Sequence, residues 1–376
     1  MVTGKLCGRS PAAIRDAATM RRIVDGLFPT HEERVDTRDE DFLSDIPEFT
    51  EAELIRAVAS LKSGKAPGPD GIPGEIIRLV VGTRPRIFLD LFNECLRCGV
   101  FCDEWKVARL VLIPKGMDKD PDSPSSYRPL SLLDTAGKVF ELLLKPRLQE
   151  SIAAAGDLSA RQMGFRAGYS TIGAIREVVD TFREAQRLRH AIRSIVVLVT
   201  LDVKNAFNSA RWVDILKSLQ DDFRVPIYLM RVFEDYFRNR TLLYETTAGK
   251  ESRRITAGVA QGSILGPDFW NVAYDALLRL EMPRGAFLVA YCDDVAVVIQ
   301  ARGIDEAQTI LIEVMARVNA WMQSRGLQLA LQKTEIVLLT GRRISTVMPM
   351  SLGGEQVETR RSAKYLGVTL DNKLFF

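Results

Sequence analysis

The stretch Phe287-Leu288-Val289-Ala290-Tyr291-Cys292-Asp293-Asp294-Val295-Ala296-Val297-Val298-Ile299 places two adjacent acids between two apolar runs. Burying neighbouring carboxylates within one strand is costly, so the simplest arrangement is a hairpin with Asp293 and Asp294 at its turn. A second run, Ser194 to Leu201, is β-branched and continuous, has the character of a buried strand, and leads directly into Asp202. If that strand pairs beside the hairpin, Asp202 joins the two acids. Three carboxylates make a hard, all-oxygen set suited to Mg²⁺. An isolated Asp-Asp pair is more often a solvated turn, but the flanking strands and the third strand-end acid reverse that preference. Magnesium held by two or three carboxylates, as two ions about 3.5–4 Å apart, is the arrangement of polymerases and nucleases. Nucleotidyl transfer is the expected reaction class.

The rest of the chain sets limits on this reading. With 376 residues, 47% apolar and 26% charged, it has the composition of a globular protein larger than one ordinary domain. Its longest uncharged apolar stretches fall well short of the roughly 18 residues that a membrane span needs. Residues 1–15 lack the apolar core of a secretory leader, and five scattered cysteines do not make a disulfide framework, so an intracellular, reducing compartment is expected. The net charge is only +3, but residues 105–200 hold 15 Lys and Arg against 10 Asp and Glu, the local excess that a polyanion contact requires. A solvated face would look the same by charge alone.

Outward from the acids, helices alternate irregularly with a few strands, so α+β is the expected class. Acids crowd the segment from Glu32 to Glu53, and residues 1–46 read as a loose acidic tether. Thr50 and Glu53 have capping-box spacing ahead of Leu54, Val58 and Leu61. Lys65 to Gly71 is a Pro- and Gly-rich ordered loop. Helices are expected over residues 76–101, 130–149, 172–191, 206–219 and 226–237, and a strand over 109–114. The stripe Ile310, Leu311, Val314, Met315, Val318, Trp321 and Met322 is a helix packing under the sheet.

Seven motifs then occur in order. They are Lys65-Ala66-Pro67-Gly68-Pro69-Asp70-Gly71, Tyr127-Arg128-Pro129-Leu130-Ser131-Leu132-Leu133, Gln162-Met163-Gly164-Phe165-Arg166, Asp202 with Ala206-Phe207, Ala260-Gln261-Gly262-Ser263-Ile264-Leu265-Gly266-Pro267, Tyr291-Cys292-Asp293-Asp294, and Lys333-Thr334 followed by Tyr365-Leu366-Gly367. Together they resemble the reverse transcriptases of non-LTR (LINE-type) retrotransposons, and Leu201 to Ser209 is similar to the lineage that inserts into arthropod ribosomal RNA genes.

The resemblance implies a right-hand polymerase, with fingers at 47–193, palm at 194–356, and a primer-grip hairpin and the start of a thumb at 357–376. It implies RNA-templated DNA synthesis from deoxynucleotides on a DNA primer, with two Mg²⁺ ions or Mn²⁺ in their place, and a nuclear location. Asp202, Asp293 and Asp294, with the backbone carbonyl of Val203, match the metal ligands. Phe207 matches a steric gate against ribose, Arg128 the grip on the triphosphate with Lys115 assisting, Gln261 the surface facing the nascent pair, and Gly262 the point where backbone approaches the substrate closely. Lys333 matches a general acid for pyrophosphate, and Tyr365, Leu366 and Gly367 the primer grip. Phosphate contacts from residues 105–193 should weaken with salt.

Departures from the pattern are Asn208, where many relatives have Asp, and Cys292, where Ala or Met is commoner. With only His31 and His190 present, no endonuclease is expected in this polypeptide. A non-catalytic RNA-binding remnant and an RNA-templated RNA polymerase are the rival readings. The intact acids oppose the first and Phe207 the second. Cys95, Cys98 and Cys102 share one helical face without a fourth ligand and read as packing residues rather than a zinc site. Gly64-Lys65 fails as a phosphate loop, because Ala59 and Ala66 occupy its Gly and Ser/Thr positions.

Overall fold

The computed structural model describes residues 15–31, 46–116, 118–187, 194–352 and 354–374. In chain order its strands are β1 Val107–Pro114, β2 Tyr127–Leu133, β3 Ile195–Leu201, β4 Thr241–Thr246, β5 Gly249–Arg254, β6 Ala286–Tyr291, β7 Asp294–Ala301, β8 Glu335–Leu339, β9 Pro349–Leu352, β10 Glu355–Glu358, β11 Ser362–Tyr365 and β12 Val368–Asp371. Its helices are α1 Ala17–Leu27, α2 Glu51–Ala59, α3 Gly74–Thr83, α4 Pro85–Cys98, α5 Thr135–Ala154, α6 Thr171–Arg187, α7 Ala206–Ser209, α8 Trp212–Lys217, α9 Ile227–Phe237, α10 Gly266–Leu278 and α11 Ile304–Ser324. The class is α+β, as expected.

Two compact units form, Met1–Asp157 with Phe207–Phe269, and Leu158–Ala206 with Trp270–Phe376. They are not simple runs of sequence. Residues 158–187, expected with the fingers, fold with β3 because α6 packs on β3, β6 and β7. Residues 207–269 fold with the N-terminal unit because β4 pairs in parallel with β1.

In the unit containing the acids, the sheet order is β6-β7-β3-β8 and every pairing is antiparallel. Successive β3 residues point to opposite faces. Val196 and Leu198 join a core with Val178 and Phe182 of α6, while Ile195, Val197 and Val199 are equally buried on the other face. Burial on both faces is why β3 reads as an unbroken apolar run. The expected stripe, apart from the half-buried Ile310, is the buried side of α11, which packs on β7.

The other unit holds the sheet β2-β1-β4-β5. Against it lies α1, where a loose tether was expected. Asp16 caps the Thr19 amide, and Met20, Ile23, Val24 and Leu27 enter a core with Leu110, Leu112 and Leu242. At about 1.5–3 kcal/mol per buried side chain, this stripe outweighs the acidity of its surroundings. The acid run itself, residues 32–45, lies outside the described residues. A second core is aromatic, with Phe92 stacked on Phe140 (5.4 Å between ring centres) and Phe101 and Trp105 packed edge-on.

Several element boundaries differ from expectation. The helix foreseen over 76–101 is two, α3 and α4, because Pro85 lacks an N–H and starts a new helix at its first position. Leu130 to Leu133, expected in a helix, complete β2, and the helix begins after Asp134. The helix over 206–219 is interrupted because Val259 N and Gly258 N bond the carbonyls of Phe207 and Ala210, both at 2.7 Å, removing the acceptors that a continuous helix would use. The expected capping box is present, with Thr50 and Glu53 each bonding the other's backbone amide. Residues 188–193 and 375–376, where a helix end and the start of a thumb were expected, lie outside the described residues.

Candidate active site

Strand register brings the three acids together. Tyr291 pairs with Asp294, leaving Cys292 and Asp293 as a two-residue turn, so Asp294 opens β7 rather than lying in the turn itself. Leu201 pairs with Val295, and Asp202 is therefore one position past the last β3–β7 pair, across from Asp294. Strands in a sheet lie about 4.8 Å apart, so Asp202 and the hairpin acids share one edge. An antiparallel bridge between Val203 and Leu329 fixes the backbone after β3. That bridge uses the Asp202 carbonyl, which accepts from Ala330 N at 2.8 Å, and the Lys204 amide, which donates to Gln328 O at 2.8 Å. It does not engage the carbonyl of Val203.

The acids are held under electrostatic strain. Burial, then the neighbouring Asp294 charge, pushes the Asp293 carboxyl up to about 6, against the pull of Lys333. Asp294 is raised by burial and by Asp202, although its outer surface is open. Lys333 Nζ lies 3.1 Å from both carboxylate oxygens of Asp202. Both side chains are well solvated, so the pair contributes little to stability.

Among the described residues no three His, Cys, Asp or Glu side chains converge as a ready metal cage. Like charges stay apart without a cation between them, and Lys333 already sits on one of the three. The donor chemistry nevertheless fits a hard divalent ion. So do the buried hydroxyls of Tyr274 and Tyr365, which sense the acids' charge and have no hydrogen-bond partner among the described residues, as expected beside a hydrated ion site.

The turn is buttressed by residues that the motif reading left without a role. Cys292 has φ +60, a left-handed conformation uncommon outside glycine. Trp270 Nε1 donates to its carbonyl at 3.0 Å. A Cβ on Gly164 would stand 2.2 Å from the Cys292 nitrogen, so only glycine permits this approach, and Asn271 Nδ2 holds the Gly164 carbonyl at 3.0 Å. Met163 N bonds Ala290 O at 2.8 Å, attaching the segment to the edge of β6. In the nearby hairpin, Leu366 (φ +48) and Gly367 (φ +88) form the turn between β11 and β12, while Tyr365 packs into the core.

The residues expected to handle the nucleotide belong to the other unit. Arg128 is exposed on β2 opposite Ile113, and Lys115, also exposed, follows β1 with its amide on Ser126 O at 2.8 Å. Phe207 is half-buried at the second position of α7. Gln261 O accepts from Ser131 N at 2.8 Å. Gly262 has φ +131, and a Cβ there would meet Ser131 O at 2.4 Å, so its close approach is to the protein's own backbone at β2. The residue that the sequence reading missed here is Glu141, buried in α5, whose carboxylate binds the loop after Gly262. Its signal was an acid inside the apolar run Val139-Phe140-Glu141-Leu142-Leu143-Leu144.

The family profile for reverse transcriptase (RNA-dependent DNA polymerase) matches residues 113–370. The chain belongs to the reverse transcriptase family. It is 32% identical over 360 residues to the 115 kDa protein of the type-1 retrotransposable element R1DM of Drosophila melanogaster, covering 95% of this chain and 33% of that protein. It is 29% identical to the Pol polyprotein of the type-1 retrotransposable element R1 of Bradysia coprophila, covering 88% of this chain and 32% of the relative. The chain thus spans about a third of the length of these curated relatives, and the expected resemblance to non-LTR retrotransposon enzymes is borne out. A telomerase structure from Candida tropicalis, truncated from its C-terminal domain, aligns at a TM-score of 0.47 and 14% identity over 72% of this chain and 56% of that one, too weak a likeness to bear on the argument. Reverse transcriptases generally work with divalent metal ions. No described helix is long and apolar enough to cross a membrane.

Proposed function

We propose that this reverse transcriptase chain is an RNA-directed DNA polymerase that adds deoxynucleotides to the 3′-hydroxyl of a DNA primer on an RNA template. The observation that carries the reading is the set of three carboxylates, Asp202, Asp293 and Asp294, that strand register gathers at one edge of a sheet. In this reading Asp202, Asp293 and Asp294, with the carbonyl of Val203, hold two Mg²⁺ or Mn²⁺ ions. The chemistry that two such ions supply is activation of the attacking oxygen and stabilisation of the leaving one.

The remaining roles fall to the chain's own groups. Arg128 grips the triphosphate with its bidentate guanidinium fork, and Lys115 adds a point charge. The Phe207 ring excludes a ribose hydroxyl. Lys333, resting on Asp202 before substrate arrives, gives a proton to the departing pyrophosphate. Leu366 and Gly367, at the tip of their hairpin, bear on the primer end, and Tyr365 anchors that hairpin in the core. Fingers at 47–193, palm at 194–356 and primer grip at 357–376 are the corresponding right-hand parts, and the place of work is the nucleus, on family grounds.

The test is primer extension on an RNA template with deoxynucleotides and Mg²⁺, comparing wild type with Asp293→Ala. Extension by wild type and none by the variant is expected. Equal extension by both would overturn the metal assignment, and none by either would favour a non-catalytic RNA-binding chain.

A further inference from the structure

The loop bearing Gln261 and Gly262 is tied down by one enclosed carboxylate. Oε2 of Glu141 accepts three hydrogen bonds, from Ser263 Oγ at 2.9 Å, Ile264 N at 2.5 Å and Leu265 N at 2.8 Å. Ser263 in turn accepts from the Tyr236 hydroxyl at 2.9 Å and from Gly266 N at 2.7 Å, so all three hydrogen-bonding positions of its hydroxyl are used. Burial raises the Glu141 carboxyl above the ordinary carboxylate range, against the pull of the Leu265 amide and of the buried Arg240, whose guanidinium lies 4.1 Å above the Tyr236 ring. Because α10 starts at Gly266, the anion also lies at a helix N-terminus, where the peptide dipoles favour negative charge. On the other side, Gln261 O is bonded to Ser131 N and Gly262 is pressed against Ser131 O. The two residues are thus held between β2 on one side and Glu141 on the other.

A buried carboxyl is retained at a desolvation cost that an apolar side chain in α5 would avoid, and its bonds fix one turn rather than enlarge a core. We propose that Glu141 is a positioning residue for nucleotide selection, holding the 263–265 turn so that Gln261 and Gly262 present a single surface to the incoming nucleotide. The inference rests on the reading of Gln261 as facing the nascent pair and of Gly262 as the point of close approach to the substrate.

The test is steady-state extension with single deoxynucleotides, matched and mismatched, for wild type, Glu141→Gln, Ser263→Ala, the double variant, and Asn93→Ala. Asn93 is a buried residue that bridges the backbone of Phe49, so its variant is a stability control outside the loop. Glu141→Gln should raise the KM for the matched nucleotide about tenfold, the equivalent of about 1.4 kcal/mol for a weakened charge-assisted bond, and should lower discrimination against mismatches. Its kcat should change far less. Ser263→Ala should have a smaller effect, and the double variant should be no worse than Glu141→Gln alone. Asn93→Ala should lower the melting temperature and leave KM unaltered.

The inference is overturned if Glu141→Gln leaves KM and mispairing unchanged, or if Asn93→Ala moves KM equally. Should Glu141→Gln fail to fold, Ser263→Ala and Tyr236→Phe test the same network, and unchanged KM in both refutes it. If wild type does not extend a primer, the polymerase reading falls instead. Amide exchange at Ile264 and Leu265 then tests the positioning, since it should be faster in Glu141→Gln, and unchanged exchange rejects it.

Discussion

The acids that suit the site to divalent ions should destabilise the protein when no ion is present, and Asp293→Asn should reveal this directly. With its carboxyl held near 6 instead of an ordinary 3.8, the ionised Asp293 costs the folded state about 3 kcal/mol at neutral pH, taken as an upper limit. The unfolded chain ionises this residue freely. The cost is therefore fully present above pH 6, shrinks as pH falls, and is gone below 3.8, where both states are protonated. Asparagine keeps the shape without the charge and also relieves Asp294. Without metal at pH 7.5 the variant should be more stable by about 1–3 kcal/mol, or roughly 2–4 °C in melting temperature for each kcal/mol. That advantage should fade between pH 6 and pH 4. Millimolar Mg²⁺ should raise the melting temperature of wild type much more than that of the variant, because an ion that binds only the folded site stabilises by mass action. Melts across this pH range, with Mg²⁺ or chelator, measure all three effects. An advantage that stays constant with pH, or a variant no more stable than wild type at pH 7.5, would refute the electrostatic account.

Three further outcomes follow from single contacts. Gly164→Ala puts a methyl group against the Cys292 backbone, so it should cost about 1–3 kcal/mol and reduce extension by more than the loss of folded protein explains, measured by melts and by extension per active molecule. Thr50→Ala removes the capping box of α2 and should cost about 1 kcal/mol while leaving extension per folded molecule unchanged. Phe207→Ala should let ribonucleotides be incorporated where wild type rejects them, as read by single-nucleotide extension, and a wild type that already prefers ribonucleotides would remove the gate assignment.

How far the sequence could be read depended on whether the signal was local. Asp202 and the Asp293-Asp294 pair were legible because a charge at the end of a continuous β-branched run stands out against a period of two or a buried strand. The capping box at Thr50 and Glu53 and the stripe of α11 were legible for the same reason: one residue spacing corresponds to one physical arrangement. Element ends were less so. Leu130 to Leu133 went into β2 because β1 offered an antiparallel partner, and a long-range pairing of that kind overrides local helix preference. The break after α7 is likewise imposed by Gly258 and Val259, some fifty residues away in the chain.

The sequence alone determined the family, the three acids and the α+β class, since each rests on motif order or on hydrophobic period. Only the tertiary structure decided that Gly164 abuts the Cys292 backbone, that Lys333 lies on Asp202, and that α1 is a docked helix in a region whose charge suggested a tether. It also decided that Glu141, one acid in an apolar helix, closes on a loop more than a hundred residues later. Contacts at that separation depend on how strands pair and helices pack, which no local run of residues encodes.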